Sequence, residues 1–166
     1  MEQVRLQLAD LAHLWPELTI VFVAVALTVI DLVFPRSANR SFLGWLSLAG
    51  VLASLILVCF QLNLELPVQL LNQSYRVDDF AGLIKLVLLG STALIILMSL
   101  GSLNTGDIPH TGEYYYLLLP ATLGGMVMAS SGDLITLFVG LELLSITSYI
   151  LVGMRKKEYE LQRGRL

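Results

Sequence analysis

The feature that most constrains this chain is its long apolar blocks, which replace the short amphipathic periods of a soluble domain. Hydrophobic residues make up 56% of the 166 residues, charged residues only 14%, and the mean hydropathy is +0.78. A helix needs roughly 17–25 mostly apolar residues to cross a bilayer. Five blocks meet that length, so the sequence predicts an all-α, polytopic membrane protein with five transmembrane helices.

The five spans divide the chain into a membrane domain, 14–154, and two ends. They are expected at about 14–34, 41–64, 81–103, 114–130 and 134–154. Residues 1–13 then form an N-terminal extramembrane segment, and residues 155–166 form a basic tail. Only residues 131–133 separate the last two spans, so these must form an antiparallel hairpin, with Asp133 placed to cap the fifth helix.

The basic residues predict an orientation, because cytoplasmic loops carry an excess of Lys and Arg. If the N-terminus is outside, seven basic residues lie on the cytoplasmic side, namely Arg36, Arg40, Arg155, Lys156, Lys157, Arg163 and Arg165. Three lie outside or near the outer end, namely Arg5, Arg76 and Lys85. We therefore expect a multi-pass cell-membrane protein with a cytoplasmic tail. The loop 104–113, which this topology places inside, contributes no Lys or Arg.

Composition also excludes several classes of function. The formal charge of -3 is not arranged as the basic face that nucleic acid requires. One cysteine, Cys59, and two distant histidines, His13 and His110, exclude a disulfide framework, a cysteine-ligated cluster and a standard zinc site within this chain. A glycine-rich nicotinamide fingerprint is also lacking. We expect no cofactor or metal to be bound by the chain itself.

Glu142 is the strongest candidate for a functional residue, because it is the only charge between Leu134 and Met154. An acid at the centre of a spanning helix costs roughly 2.5–3.5 kcal/mol on insertion scales and usually faces protein, water or a partner charge. Ser145 and Tyr149 share its helical face. This stripe predicts a proton carrier. The alternative is a carboxyl group held permanently neutral by a hydrogen bond to a hydroxyl group.

Lys85 heads a second polar stripe, since Thr92 and Ser99 follow it at seven-residue intervals. The third helix is therefore expected to have an inward polar face. Glu142 lies about five residues deeper than Lys85, or roughly 8 Å at about 1.5 Å per residue. We hypothesise that Lys85 is the charge partner of Glu142, directly or through water. The alternative is that Lys85 extends to the membrane interface.

Other features have structural interpretations. Glu17 and Asp31 mark the two ends of the first span, where a capping or structural role is expected. Gly124 and Gly125 permit close helix approach in the fourth span. The tyrosine run 114–116 lies where an aromatic belt is expected, so we interpret it as an interfacial anchor.

Several strings resemble one known family. GEYYYLLLPATLGGMVMASSGDLITLFVGLELLSITSYILVG, from Gly112 onward, closely resembles the fourth and fifth helices of the subunit N family of proton-pumping NADH-quinone oxidoreductase, respiratory complex I. WPELTIVFVAVALTVIDLVF resembles the first helix of that family, and DDFAGLIKLVLLGSTALIILMS the third. The resemblance covers residues 14–154, and GLELLSITSYILVG is its most specific element.

The resemblance implies a role in energy coupling. Glu142 would be the intramembrane glutamate of helix five, implicated in proton translocation driven by electron transfer from NADH to quinone. The parent complex would use NADH, flavin, iron-sulfur clusters and quinone, and the partners would be other membrane-arm subunits and the bilayer. The antiporter-like fold of this family has about fourteen helices, of which the chain resembles the first five. The tail 155–166 is therefore expected to be a truncation point.

The resemblance also leaves alternatives open. In the family, the lysine that pairs with the helix-five glutamate lies on helix seven, beyond this chain. The chain alone is therefore not expected to be catalytic or to conduct protons. A sodium/proton antiporter subunit would use the same carboxylate chemistry, and a non-transporting scaffold is the third alternative.

Overall fold

The fold is a helical bundle with one small β-hairpin. The computed structural model describes residues 13–33, 41–62, 68–71, 73–103 and 111–163, without the side chains of residues 41, 102, 103, 111 and 155–163. The elements in chain order are α1 (Trp15–Val33), α2 (Ser41–Gln61), β1 (Val68–Leu70), β2 (Tyr75–Val77), α3 (Asp79–Leu103), α4 (Thr111–Ala129) and α5 (Leu134–Arg163). Residues 1–12 of the predicted N-terminal segment and residues 104–110 of the loop 104–113 lie outside the described residues, as do Arg36 and Arg40.

Four of the described helices are long and apolar enough to cross a membrane: α1, α2 from Phe42, α3 to Gly101, and α5 to Met154. The prediction of a helical membrane protein is therefore confirmed. Helix α4 is not among the four, although it was expected to be a span. It contains Glu113, three tyrosines and several glycines, and it packs against all four other helices, so little of its surface needs to be apolar. The count of five crossings stays a prediction.

The core of the bundle lies between α1, α2, α3 and α4. Ile20, Val51, Leu89, Leu119 and Met126 are completely buried there. Helix α5 differs, because within the described residues it contacts the bundle mainly through α4. Only 11% of the apolar stretch of α5 is buried, compared with 44% of the apolar stretch of α2. Most of the surface of α5 therefore remains uncovered by the described part of the chain.

The α4–α5 hairpin forms as the sequence predicts. Asp133 caps α5, because its Oδ1 accepts a hydrogen bond from the backbone N–H of Thr136 at 2.6 Å. Gly124 permits close approach, since a Cβ there would lie 2.7 Å from the carbonyl oxygen of Gly140. Helix α5 continues to Arg163, whereas the sequence places the start of a separate tail at residue 155.

The inward polar face of α3 is confirmed. Thr92 Oγ1 lies 2.9 Å from Thr122 Oγ1 of α4, and the hydroxyl groups of Ser99 and Tyr115 are 3.3 Å apart. Tyr115 is only 1% exposed. The interpretation of this tyrosine as an interfacial anchor is therefore wrong, because its hydroxyl group meets a polar neighbour inside the bundle and needs no contact with water.

The hairpin between α2 and α3 corrects the all-α expectation. Strands β1 and β2 pair antiparallel, with Val68 opposite Val77 and Leu70 opposite Tyr75. Two backbone hydrogen bonds join the hairpin to the α4–α5 turn. Arg76 N donates to Ser130 O at 2.7 Å, and Gly132 N donates to Ser74 O at 2.8 Å. The two connections thus form one cover over the same end of the bundle.

Candidate functional site

Glu142 lies on the uncovered side of α5. Its side chain is exposed, and it makes no hydrogen bond or ion pair in the part of the chain that the structure describes. Ile146 and Tyr149, which follow it on this face, are 53% and 75% exposed. The expectation that Glu142 faces protein is thus not met by the described helices.

Lys85 and Glu17 form an ion pair inside the bundle. Lys85 Nζ is 2.8 Å from Glu17 Oε1, and the two residues are 1% and 6% exposed. The expected pair between Lys85 and Glu142 is therefore wrong for this structure, and so is the alternative that Lys85 extends to the interface. Glu17 is likewise more than a capping residue, because it is the buried partner of this cation.

The backbone explains why this pair forms. Glu17 lies in the first turn of α1, and Lys85 lies in the second turn of α3. Both helices run in the same direction across the bundle, since one helix separates them along the chain. Two ionisable groups near the starts of such helices lie at similar depth. Glu142 differs in the direction that its side chain faces: it is exposed on the uncovered side of α5, whereas Glu17 and Lys85 are both buried inside the bundle.

Tyr75 of the hairpin completes the cluster. Its hydroxyl group donates a hydrogen bond to Glu17 Oε1 at 2.7 Å and accepts one from Lys85 Nζ at 3.1 Å. Lys85 Nζ also lies 5.2 Å from the centroid of the Tyr75 ring. Burial raises the pKa of the Tyr75 phenol strongly, and the neighbouring Glu17 carboxylate raises it further. Tyr75 is therefore a neutral donor in this site.

Helix α2 anchors the start of α1 beside the cluster. Ser54 Oγ donates a hydrogen bond to the carbonyl oxygen of Pro16 at 2.9 Å. Gln61 Nε2 donates one to the carbonyl oxygen of His13 at 2.7 Å. These bonds satisfy backbone groups next to Glu17 and fix the direction in which α1 presents its carboxylate.

Sequence reasoning missed Glu17 and Tyr75 as parts of one site. The matching positions of Glu17 and Lys85 near the starts of two parallel spans are a signal that could have indicated the ion pair. Tyr75 gave a weaker signal, since the hairpin is short and lies in a connection between spans. Among the described residues, no group of three His, Cys, Asp or Glu side chains could hold a metal ion.

Comparison with known proteins gives consistent relatives. The chain is 45% identical over 171 residues to NADH-quinone oxidoreductase subunit N of a Paenibacillus species, an alignment that covers 94% of this chain and 33% of the relative. It is 48% identical to subunit N of Brevibacillus brevis over 89% of this chain and 29% of the relative. NAD(P)H-quinone oxidoreductase subunit 2 of Gloeobacter violaceus is 38% identical over 86% of this chain and 27% of the relative.

No family model matches the chain. The Paenibacillus and Brevibacillus relatives nevertheless share the name subunit N and align with most of the residues of this chain. The resemblance to the family of NADH-quinone oxidoreductase subunit N is thereby confirmed, for a chain that spans about a third of the length of the curated relatives it matches.

Proposed function

We propose that this chain is the N-terminal part of a membrane-arm subunit of NADH-quinone oxidoreductase, in which Glu142 carries protons across the membrane. The names of its relatives support the assignment to that complex. The observation that carries the role of Glu142 is its place as the only charge in the apolar stretch Leu134–Met154 of α5. A carboxylate there is stable only with a proton, a partner charge or water.

The uncovered side of α5 fits this proposal if further helices pack on it. The relatives are about three times as long as the matched region, and their additional sequence could supply such helices. Packing would place Glu142 between α5 and a neighbour, where burial favours the protonated form and a nearby cation favours the charged form. A carboxyl group balanced between these two effects can load and release a proton.

The charge partner of Glu142 in this proposal is not Lys85, because Lys85 is engaged by Glu17. The partner is instead a cationic group outside the described residues. The redox work takes place elsewhere in the complex, where NADH, flavin, iron-sulfur clusters and quinone react. The chain contributes a proton site and contacts with other membrane-arm subunits, within the cell membrane and with its N-terminus outside.

The test uses the full-length subunit in the assembled complex. NADH-driven proton pumping and NADH oxidation are measured for Glu142→Gln, which removes the titratable group, and Glu142→Asp, which keeps it. We expect pumping to be lost with the glutamine and partly retained with the aspartate. Glu113→Gln at the start of α4 is the matched control, since it removes an equal charge outside the middle of a span, and it should pump normally.

Two results would contradict the proposal. Normal pumping in both Glu142 variants would make this residue structural. Failure of the full-length subunit to copurify with other membrane-arm subunits would instead favour an autonomous sodium/proton antiporter.

A further inference from the structure

Two buried polar atoms in or beside the cluster of Glu17, Tyr75 and Lys85 lack a hydrogen-bond partner among the described residues. They are Glu17 Oε2 and Ser130 Oγ, on residues that are 6% and 1% exposed. Ser130 lies beside Tyr75, because the backbone of Tyr75 forms an antiparallel bridge with Ser131. Both unsatisfied atoms thus belong to the residues that surround Tyr75. Buried polar groups of this kind normally have a partner, either protein or ordered water.

The charges of the cluster select the chemical class of the missing partner. A metal cation would lie close to the Lys85 ammonium group, which is 2.8 Å from the same carboxylate. An anion would be repelled by Glu17. Glu17 Oε2 requires a donor, whereas Ser130 Oγ can either donate or accept. A small neutral molecule that both donates and accepts meets these requirements, and water is the simplest.

The cover over the cluster would retain such a molecule. Arg76 N donates to Ser130 O at 2.7 Å, and Gly132 N donates to Ser74 O at 2.8 Å. The side chain of Ser74 also donates to Asp133 Oδ2 at 2.7 Å. These three bonds hold the β-hairpin against the α4–α5 turn. A molecule beneath them is separated from bulk solvent by hydrogen-bonded backbone.

We propose that Glu17, Tyr75, Lys85 and Ser130 form an internal water-binding site at this end of the bundle, separate from Glu142. The water donates to Glu17 Oε2 and satisfies the second oxygen of a carboxylate whose first oxygen already accepts from Lys85 and Tyr75. Water that satisfies otherwise unpaired buried groups is a regular part of folded proteins. This inference does not rest on the proposed role in proton translocation.

The experiment is hydroxyl-radical footprinting of the whole chain in nanodiscs, since radicals formed from bound water modify the adjacent side chains. The reporter is Tyr75, which is 4% exposed, and the matched control is Tyr115, which is 1% exposed and bonded within the bundle. We expect Tyr75 to be modified several-fold faster than Tyr115. Ser130→Ala and Glu17→Leu, which each remove one water ligand, should lower the rate at Tyr75 and leave Tyr115 unchanged.

Two outcomes would overturn the inference. One is a rate at Tyr75 no higher than at Tyr115. The other is an unchanged or increased rate at Tyr75 in Ser130→Ala, which would assign the modification to bulk water. If Glu17→Leu disturbs the fold, modification of Tyr115 will rise as well, and Ser130→Ala then decides the matter, because it removes one hydroxyl group and no charge.

Discussion

Removal of the Lys85 charge tests whether the ion pair with Glu17 governs the stability of the bundle. The pair is separated by 2.8 Å, and two unit charges at that distance attract by about 6 kcal/mol at an effective dielectric constant of about 20. Desolvation of the two ions offsets most of this attraction. Lys85→Met removes the attraction but leaves the Glu17 carboxylate buried. The free energy of unfolding should therefore fall by more than it does when an exposed ion pair is broken.

We expect Lys85→Met to destabilise the chain by about 3 kcal/mol, the lower end of the range for a broken buried pair. The lower end applies because Tyr75 still donates a hydrogen bond to Glu17. Glu17→Leu should have a similar effect, since it leaves the ammonium group unpaired. The free energy of unfolding of the double variant should be closer to that of the original chain than either single variant's is, because neither charge of the pair then remains buried.

The assay is unfolding by SDS in mixed micelles, followed by fluorescence of the two tryptophans. Arg76→Met is the matched control. It breaks an ion pair with Asp78 at 3.0 Å in which the arginine side chain is 55% exposed, and such pairs contribute about 0–1 kcal/mol. The reasoning is refuted if the decreases in unfolding free energy caused by Glu17→Leu and Lys85→Met add up in the double variant. It is also refuted if Lys85→Met destabilises the chain no more than Arg76→Met does.

Two further predictions concern the α4–α5 hairpin. Gly124→Ala should destabilise the chain by about 1–3 kcal/mol, because the added methyl group overpacks against Gly140. Gly153→Ala should not, since among the described residues no atom beyond its own stretch of helix lies within 4 Å of the added Cβ. Equal unfolding midpoints of the two variants would contradict this prediction. Asp133→Ala should destabilise the hairpin at pH 7, because hydrogen bonds from the Thr136 backbone N–H and the Ser74 hydroxyl lower the pKa of Asp133. Because the pKa of Asp133 is lower in the folded chain, its carboxylate contributes its full stabilisation at pH values above its pKa in the unfolded chain, about 4. This contribution is lost as the pH falls through the pKa of the folded chain. The difference in unfolding free energy between Asp133→Ala and the original chain should therefore become smaller at acidic pH. A difference that stays constant with pH would count against the role of Asp133 as a helix cap.

Local features of the fold were predictable from the sequence because they depend on neighbouring residues alone. Apolar blocks of spanning length predicted the four apolar helices, and seven-residue spacing placed Thr92 and Ser99 on one inward face. The three-residue connection and the acid before α5 predicted the hairpin and its cap at Asp133. Each of these follows from helix geometry or from the length of an element, with no knowledge of which helices are neighbours.

The partners of charged groups were not predictable in this way. The sequence placed Lys85 and Glu142 within reach of each other by depth, but lateral position decides contact, and α5 packs mainly on α4. The tertiary structure therefore assigned Lys85 to Glu17, brought Tyr75 over the pair and buried Tyr115. Depth in a bundle is fixed by position along one helix, whereas contact between side chains also requires the arrangement of helices around one another, which only the packed bundle determines.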